Sequence, residues 1–126
     1  MADKDNAAVA DMALEPYWQA AREGRLLLKH CRACDRTHYY PRPLCPFCMS
    51  DDTAWREASG AGTVYSWSVE RRAQPPYVIA FVTLAEGPTL LTNLVDCDPD
   101  DVAIGQAVTL GFETREEQPV PVFRPA

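Results

Sequence analysis

Four of the five cysteines fall in two Cys-x2-Cys pairs, Cys31-Arg-Ala-Cys34 and Cys45-Pro-Phe-Cys48, with ten residues between them. That spacing lets two thiolates from one tight turn point at a single ion, and two such turns supply a closed tetrahedral shell of soft ligands. Thiolate sulfur selects zinc or iron over hard cations. One structural zinc per chain is the expectation; iron in a rubredoxin-like site satisfies the same spacing, and metal analysis separates the two. A redox dithiol needs one pair opening a helix, whereas Pro41, Pro43 and Pro46 discourage helix here. A disulfide framework implies export, yet Met1 to Asp11 is polar and Ala-rich. A cytoplasmic setting is expected. Cys97, between Asp96 and Asp98, reads as a small, partly buried apolar residue.

Around the cysteines the chain supplies strands. Arg25 to His30 runs into the first pair, Thr37 to Tyr40 leads back toward the second, and Thr53 to Glu57 closes a ribbon. With four thiolates in place, His30 and His38 are left as surface groups or groups beside the ligands. Upstream, Leu14, Trp18 and Ala21 recur at helical spacing with Tyr17 beside them, Pro16 tolerated in the first turn and Gly24 as the stop. This amphipathic helix packs on a neighbouring domain or offers Tyr17 and Trp18 to a partner. Residues up to about Ala10 read as an arm.

Ser59-Gly-Ala-Gly62 reads as a hinge. Beyond it the pattern is all β. Thr63 to Val69 alternates, with Tyr65, Trp67 and Val69 on one face and Val64, Ser66 and Ser68 on the other. Tyr77 to Leu84 is apolar on both faces, as in a strand buried on two sides. Thr89 to Val95 completes a hairpin, and Asp98-Pro99 caps one helical turn ending near Gly105. Ala107 to Glu113 follows with Val108, Leu110 and Phe112 inward, then Val120 to Arg124 as an edge strand. The fold class is mainly β: an N-terminal helix with its arm (residues 1–24), a zinc ribbon (25–58) and a five-stranded OB-type barrel (59–126).

Net charge is −6, unevenly spread. Arg22 to Arg42 holds six bases against two acids, leaving the rest strongly acidic. A basic ribbon invites nucleic-acid binding, but the acidic remainder repels a long polyanion. No apolar run approaches a membrane span. One loop carries candidate ligand groups: Arg71 and Arg72 beside Pro75-Pro76 and Tyr77 are placed to clamp phosphates and stack a base. There is no Gly-x-Ser-x-Gly elbow and no phosphate loop, so catalytic residues of its own are not expected.

Taken together, the aromatic helix, Cys-x2-Cys, Tyr39-Tyr40-Pro41-Arg42, Cys-Pro-x-Cys, Gly60-x-Gly-x-Val-Tyr-Ser66, Pro75-Pro-Tyr-Val-Ile-Ala80 and Cys97-Asp-Pro-Asp-Asp-Val-x-Ile-Gly105 resemble a zinc-ribbon/OB-fold family, formerly a domain of unknown function, whose members accompany thiolase-superfamily enzymes. The resemblance spans about Leu14 to Phe123. It implies a helix, a rubredoxin-like ribbon with Cys31, Cys34, Cys45 and Cys48 as ligands, and an OB barrel. It also implies a hetero-oligomeric accessory subunit whose thiolase-fold partner acts on acyl-CoA thioesters. The partner's reaction would be retro-aldol cleavage, as in steroid side-chain degradation, or acyl transfer, with this chain scaffolding it and helping bind CoA. The rival reading is a stand-alone module binding single-stranded nucleic acid or protein.

Overall fold

The computed structural model describes residues 14–126; the expected arm up to Ala10 lies outside them. The chain divides into two compact units, one ending at Glu57 and the other running from Ala58 to Ala126.

In the first unit, helix α1 (residues 14–22) ends because Gly24 takes the left-handed conformation at φ +80°. The Arg25 N–H then reaches the Ala20 carbonyl at 2.8 Å and the Gly24 N–H reaches that of Ala21 at 3.0 Å, capping two carbonyls that the helix leaves unsatisfied. Tyr17, Ala20 and Ala21 form the buried stripe. It is centred on Tyr17 rather than Trp18, which is only half-buried. Strands β1 (Leu27–Cys31), β2 (Arg36–His38) and β3 (Thr53–Glu57) make an antiparallel sheet in the order β2-β1-β3. Leu26, just before β1, and Leu28 within it are fully buried.

The second unit is a closed barrel of β4 (Ala61–Glu70), β5 (Tyr77–Leu84), β6 (Thr89–Leu94), β7 (Ala107–Arg115) and β8 (Gln118–Pro125), ordered β4-β5-β6-β8-β7. Val64, Val78, Ala80, Val82, Leu84, Leu90, Leu94, Val108, Val122 and Phe123 fill it. A 3-10 turn at Pro99–Asp101 precedes β7, with the Asp98 side chain accepting from the Asp100 N–H at 3.0 Å.

Several expectations are corrected. The hinge glycine Gly62 lies within β4, where an added Cβ would stand 2.7 Å from Val82 Cγ1 and 3.1 Å from the Thr83 carbonyl oxygen. Only glycine fits there. A register shift between Val64 and Ser66 breaks the alternation of β4. Val64 points inward opposite Val82, whereas Trp67 and Val69 share the face of Ala80 and Val78, and Tyr65 stands outside. β5 is not buried on two sides: Val78, Ala80, Val82 and Leu84 are inside while Tyr77 and Phe81 are exposed. On β7, Val108 is buried but Leu110 and Phe112 are only half-buried.

Nor is β8 an edge. It pairs with β7 along its length and with β6 at Leu94–Phe123. Its prolines at 119, 121 and 125 alternate, so all three withhold an N–H from the β6 side. The Pro121 carbonyl on that side is taken instead by the buried Thr92 hydroxyl, which donates at 3.0 Å.

Candidate metal centre

β1 delivers Cys31 from the sheet into the first knuckle, and the turn before β2 delivers Cys34. The loop between β2 and β3 brings Cys45 and Cys48. In each knuckle the residue after the second cysteine is left-handed: Asp35 at φ 57° and Met49 at φ 67°. This conformation costs a non-glycine residue about 1–2 kcal/mol, and its recurrence at equivalent positions shows what the turns are built to do. Backbone bonds hold the second knuckle closed, Met49 N–H to the Cys45 carbonyl at 2.8 Å and Cys45 N–H to that of Ser50 at 2.9 Å. The Phe47 N–H points at Cys45 Sγ, 3.4 Å away.

The four sulfurs lie within 4.8 Å of one another, Cys31 to Cys48 at 3.6 Å and Cys34 to Cys45 at 3.7 Å. A zinc–sulfur distance of about 2.3 Å sets tetrahedral sulfurs about 3.8 Å apart. The donor set therefore fits one zinc ion. Protons crowd unevenly onto such a cluster. Burial, then hydrogen bonding to Cys45, pushes the Cys34 thiol up to about 12. Burial would raise Cys45 as well, but the backbone N–H groups of Cys48 and Phe47, together with hydrogen bonds from the Cys34 and Cys31 thiols, outweigh it and bring that thiol down to about 7. Four protein ligands leave no open position, so the site suits holding a fold together rather than activating water.

The histidines support the knuckle differently. His30 is engaged on both nitrogens, with Thr37 Oγ1 and Asp35 Oδ1 each at 2.9 Å, tying together the two ends of the first turn. His38 is no surface group. It is 6% exposed, and neither ring nitrogen has a partner among the described residues. Burial, then Lys29 and Arg42, lowers its pKa. Lys29, itself shifted down by burial, sits 4.3 Å over the Trp55 ring.

Of the helix residues, Tyr17 is 4% exposed with its hydroxyl 3.2 Å from that of Tyr39, so it is core of its own unit, and only Trp18 offers surface. Both phenols are pushed up by burial. In the barrel unit Arg71 lies toward Asp100 at 3.4 Å, the Arg72 N–H bonds Glu70, and Tyr77 opens β5 half-exposed. Cys97 is half-buried, its thiol pushed up by burial and by Asp96 and Asp98.

Residues 18–54 match the family described as ChsH2, rubredoxin-like zinc ribbon domain, and residues 55–113 match that described as ChsH2, C-terminal OB-fold domain. A DUF35 domain-containing scaffold protein of Methanocaldococcus jannaschii is 36% identical over 109 residues, 79% of this chain and 77% of the relative. The chain belongs to the DUF35 family. Two further likenesses carry other descriptions. A probable enoyl-CoA hydratase alpha subunit of Thermomonospora curvata is 42% identical over 116 residues, 87% of this chain. The chain spans only 36% of that relative's length. A solved structure titled Ltp2-ChsH2(DUF35) aldolase superposes with a TM-score of 0.76 at 40% identity, covering 90% of this chain and 94% of that one.

Proposed function

We propose that this DUF35 protein is an accessory subunit of a thiolase-fold enzyme acting on acyl-CoA thioesters, with carbon–carbon cleavage of the retro-aldol type as its reaction and acyl transfer as the variant. The observation that carries the reading is the 40% identity to the DUF35 chain of the Ltp2-ChsH2(DUF35) aldolase over nearly the full length of both. The chemistry of the site agrees. Four of the five cysteines are committed to a closed shell, and His30 is spent on the knuckle. The reacting groups then belong to the partner, and the chain supplies a rigid scaffold in a cytoplasmic hetero-oligomer. Arg71 and Arg72 contribute charge toward the CoA phosphates, with Tyr77 beside them. For Arg71 this requires exchanging the exposed Asp100 contact for phosphate, a small cost at such an exposed pair.

The test is to isolate the complex through a tag on this chain in its native host and to assay CoA-thioester cleavage and acyl transfer. Activity in the complex and none in the purified chain is expected; equal activity in the chain alone would make it an enzyme in its own right. In the same assay Arg71→Ala with Arg72→Ala raises KM for the thioester without loosening assembly. An unchanged KM removes the phosphate role.

A further inference from the structure

The outward face of β4, β5 and β6 has a composition that a solvated barrel wall does not need. Phe81 stands directly opposite Leu91 on one side and Ser66 on the other, with Tyr65 beside it at the bulge. Tyr65, Phe81 and Leu91 are 66%, 45% and 59% exposed, and Tyr77 lies on the same row of β5. The other outward positions are Ile79 and Thr83 on β5, Thr89 and Asn93 on β6 and Ser66 and Ser68 on β4; charge enters only at the ends, where Glu70 stands opposite Tyr77 and Arg115 bonds Asn93. Several of its polar groups already have partners within the chain. The Thr83 and Thr89 hydroxyls bond each other at 2.8 Å, and the Asn93 amide donates to the Val78 carbonyl while accepting from Arg115. Covering this surface strips little water from polar atoms.

We propose that this face is the core of the docking surface for the enzyme subunit; the inference rests on the accessory-subunit reading above. An uncharged apolar centre with charged residues such as Glu70 and Arg115 at its margins is the usual anatomy of a protein–protein interface. Four half-exposed side chains offer roughly 400 Å², about half of one partner's share of a standard interface. Charge selects the occupant. The barrel unit carries nine acids against four bases, so a second copy would meet like charge and a polyanion would be repelled. The fitting occupant is a different protein whose apolar patch is ringed by basic groups.

The test measures binding of purified Ltp2, the named companion in the solved relative, to the full chain by titration calorimetry, with zinc content and circular dichroism as folding controls. Leu91→Lys and Phe81→Lys weaken binding at least about 30-fold, while Thr114→Lys, an exposed position on β7, leaves it unchanged. Independently of any variant, hydrogen exchange of the wild-type chain slows on binding across residues 77–84 and 89–94. Wild-type binding that both substitutions leave intact, with no slowing there, overturns the assignment of this face and spares the accessory-subunit reading. Absence of wild-type binding overturns both. A dimer of the chain alone that Leu91→Lys dissociates assigns the face to self-association and overturns the proposal.

Discussion

Cys31→Ser tests how much of the first unit depends on its metal. Cys31 is fully buried at the end of β1, its sulfur 3.6 Å from that of Cys48. The large core side chains of that unit are few: Tyr17, Leu26 and Leu28. At roughly 1.5–3 kcal/mol each they contribute about 5–9 kcal/mol, less than the about 10–16 kcal/mol that a structural zinc supplies. The ion is thus the larger stabilising term, and a small module with so thin a core does not fold without it. Losing one ligand of four removes roughly a quarter of that binding energy, weakening zinc affinity about 100- to 1000-fold. The assay is hydrogen exchange read by mass spectrometry, with zinc buffered by a chelator between the two affinities. Protection should vanish across residues 27–57 of the variant and persist across 61–125, because the barrel has a core of its own. Retained protection in 27–57 with no bound metal would refute the reasoning, and stoichiometric iron in the wild-type protein would refute the choice of ion.

Two further outcomes probe each unit separately. Gly62→Ala forces a methyl group against Val82 and the Thr83 backbone, and should lower barrel stability by about 1–3 kcal/mol, a fall in Tm of roughly 5–20 °C; a thermal melt within error of wild type would show that β4 yields freely. His38 has a lowered pKa in the fold, through burial and then Lys29 and Arg42, against about 6.5 when unfolded. Below about pH 6.5 the unfolded chain binds a proton that the folded chain declines, so stability falls as pH drops through that value. In saturating zinc, His38→Phe should show a shallower loss of denaturation midpoint between pH 7.5 and 5.5 than wild type. Parallel profiles would mean that His38 takes its proton while folded.

The metal site was legible in the sequence because its information is local: two short spacings and the turns they demand. The barrel strands were legible for a similar reason, since turn residues bracket each one. What escaped was whatever depended on neighbours far along the chain. The bulge beside Tyr65 exists only in the pairing of β4 with β5, so alternation counted along β4 assigned its faces wrongly. Tyr77 and Phe81 read as core because, along the sequence, an apolar side chain on the outer face of a strand looks like one on the inner face. β8 read as an edge because its prolines remove donors; the Thr92 hydroxyl that answers Pro121 lies 29 residues away. Tyr17 read as a partner-facing residue because nothing local announces its bond to Tyr39.

The central claim is that this chain works as one component of a CoA-thioester enzyme. Its most direct test is native mass spectrometry of the complex recovered through a tag on the chain from its own host, followed by sequencing of every stoichiometric component. The account predicts a hetero-oligomer in which this zinc-bearing chain is accompanied by a thiolase-superfamily subunit. A zinc-bearing monomer with no stoichiometric companion, or one carrying nucleic acid in place of a protein subunit, would contradict it.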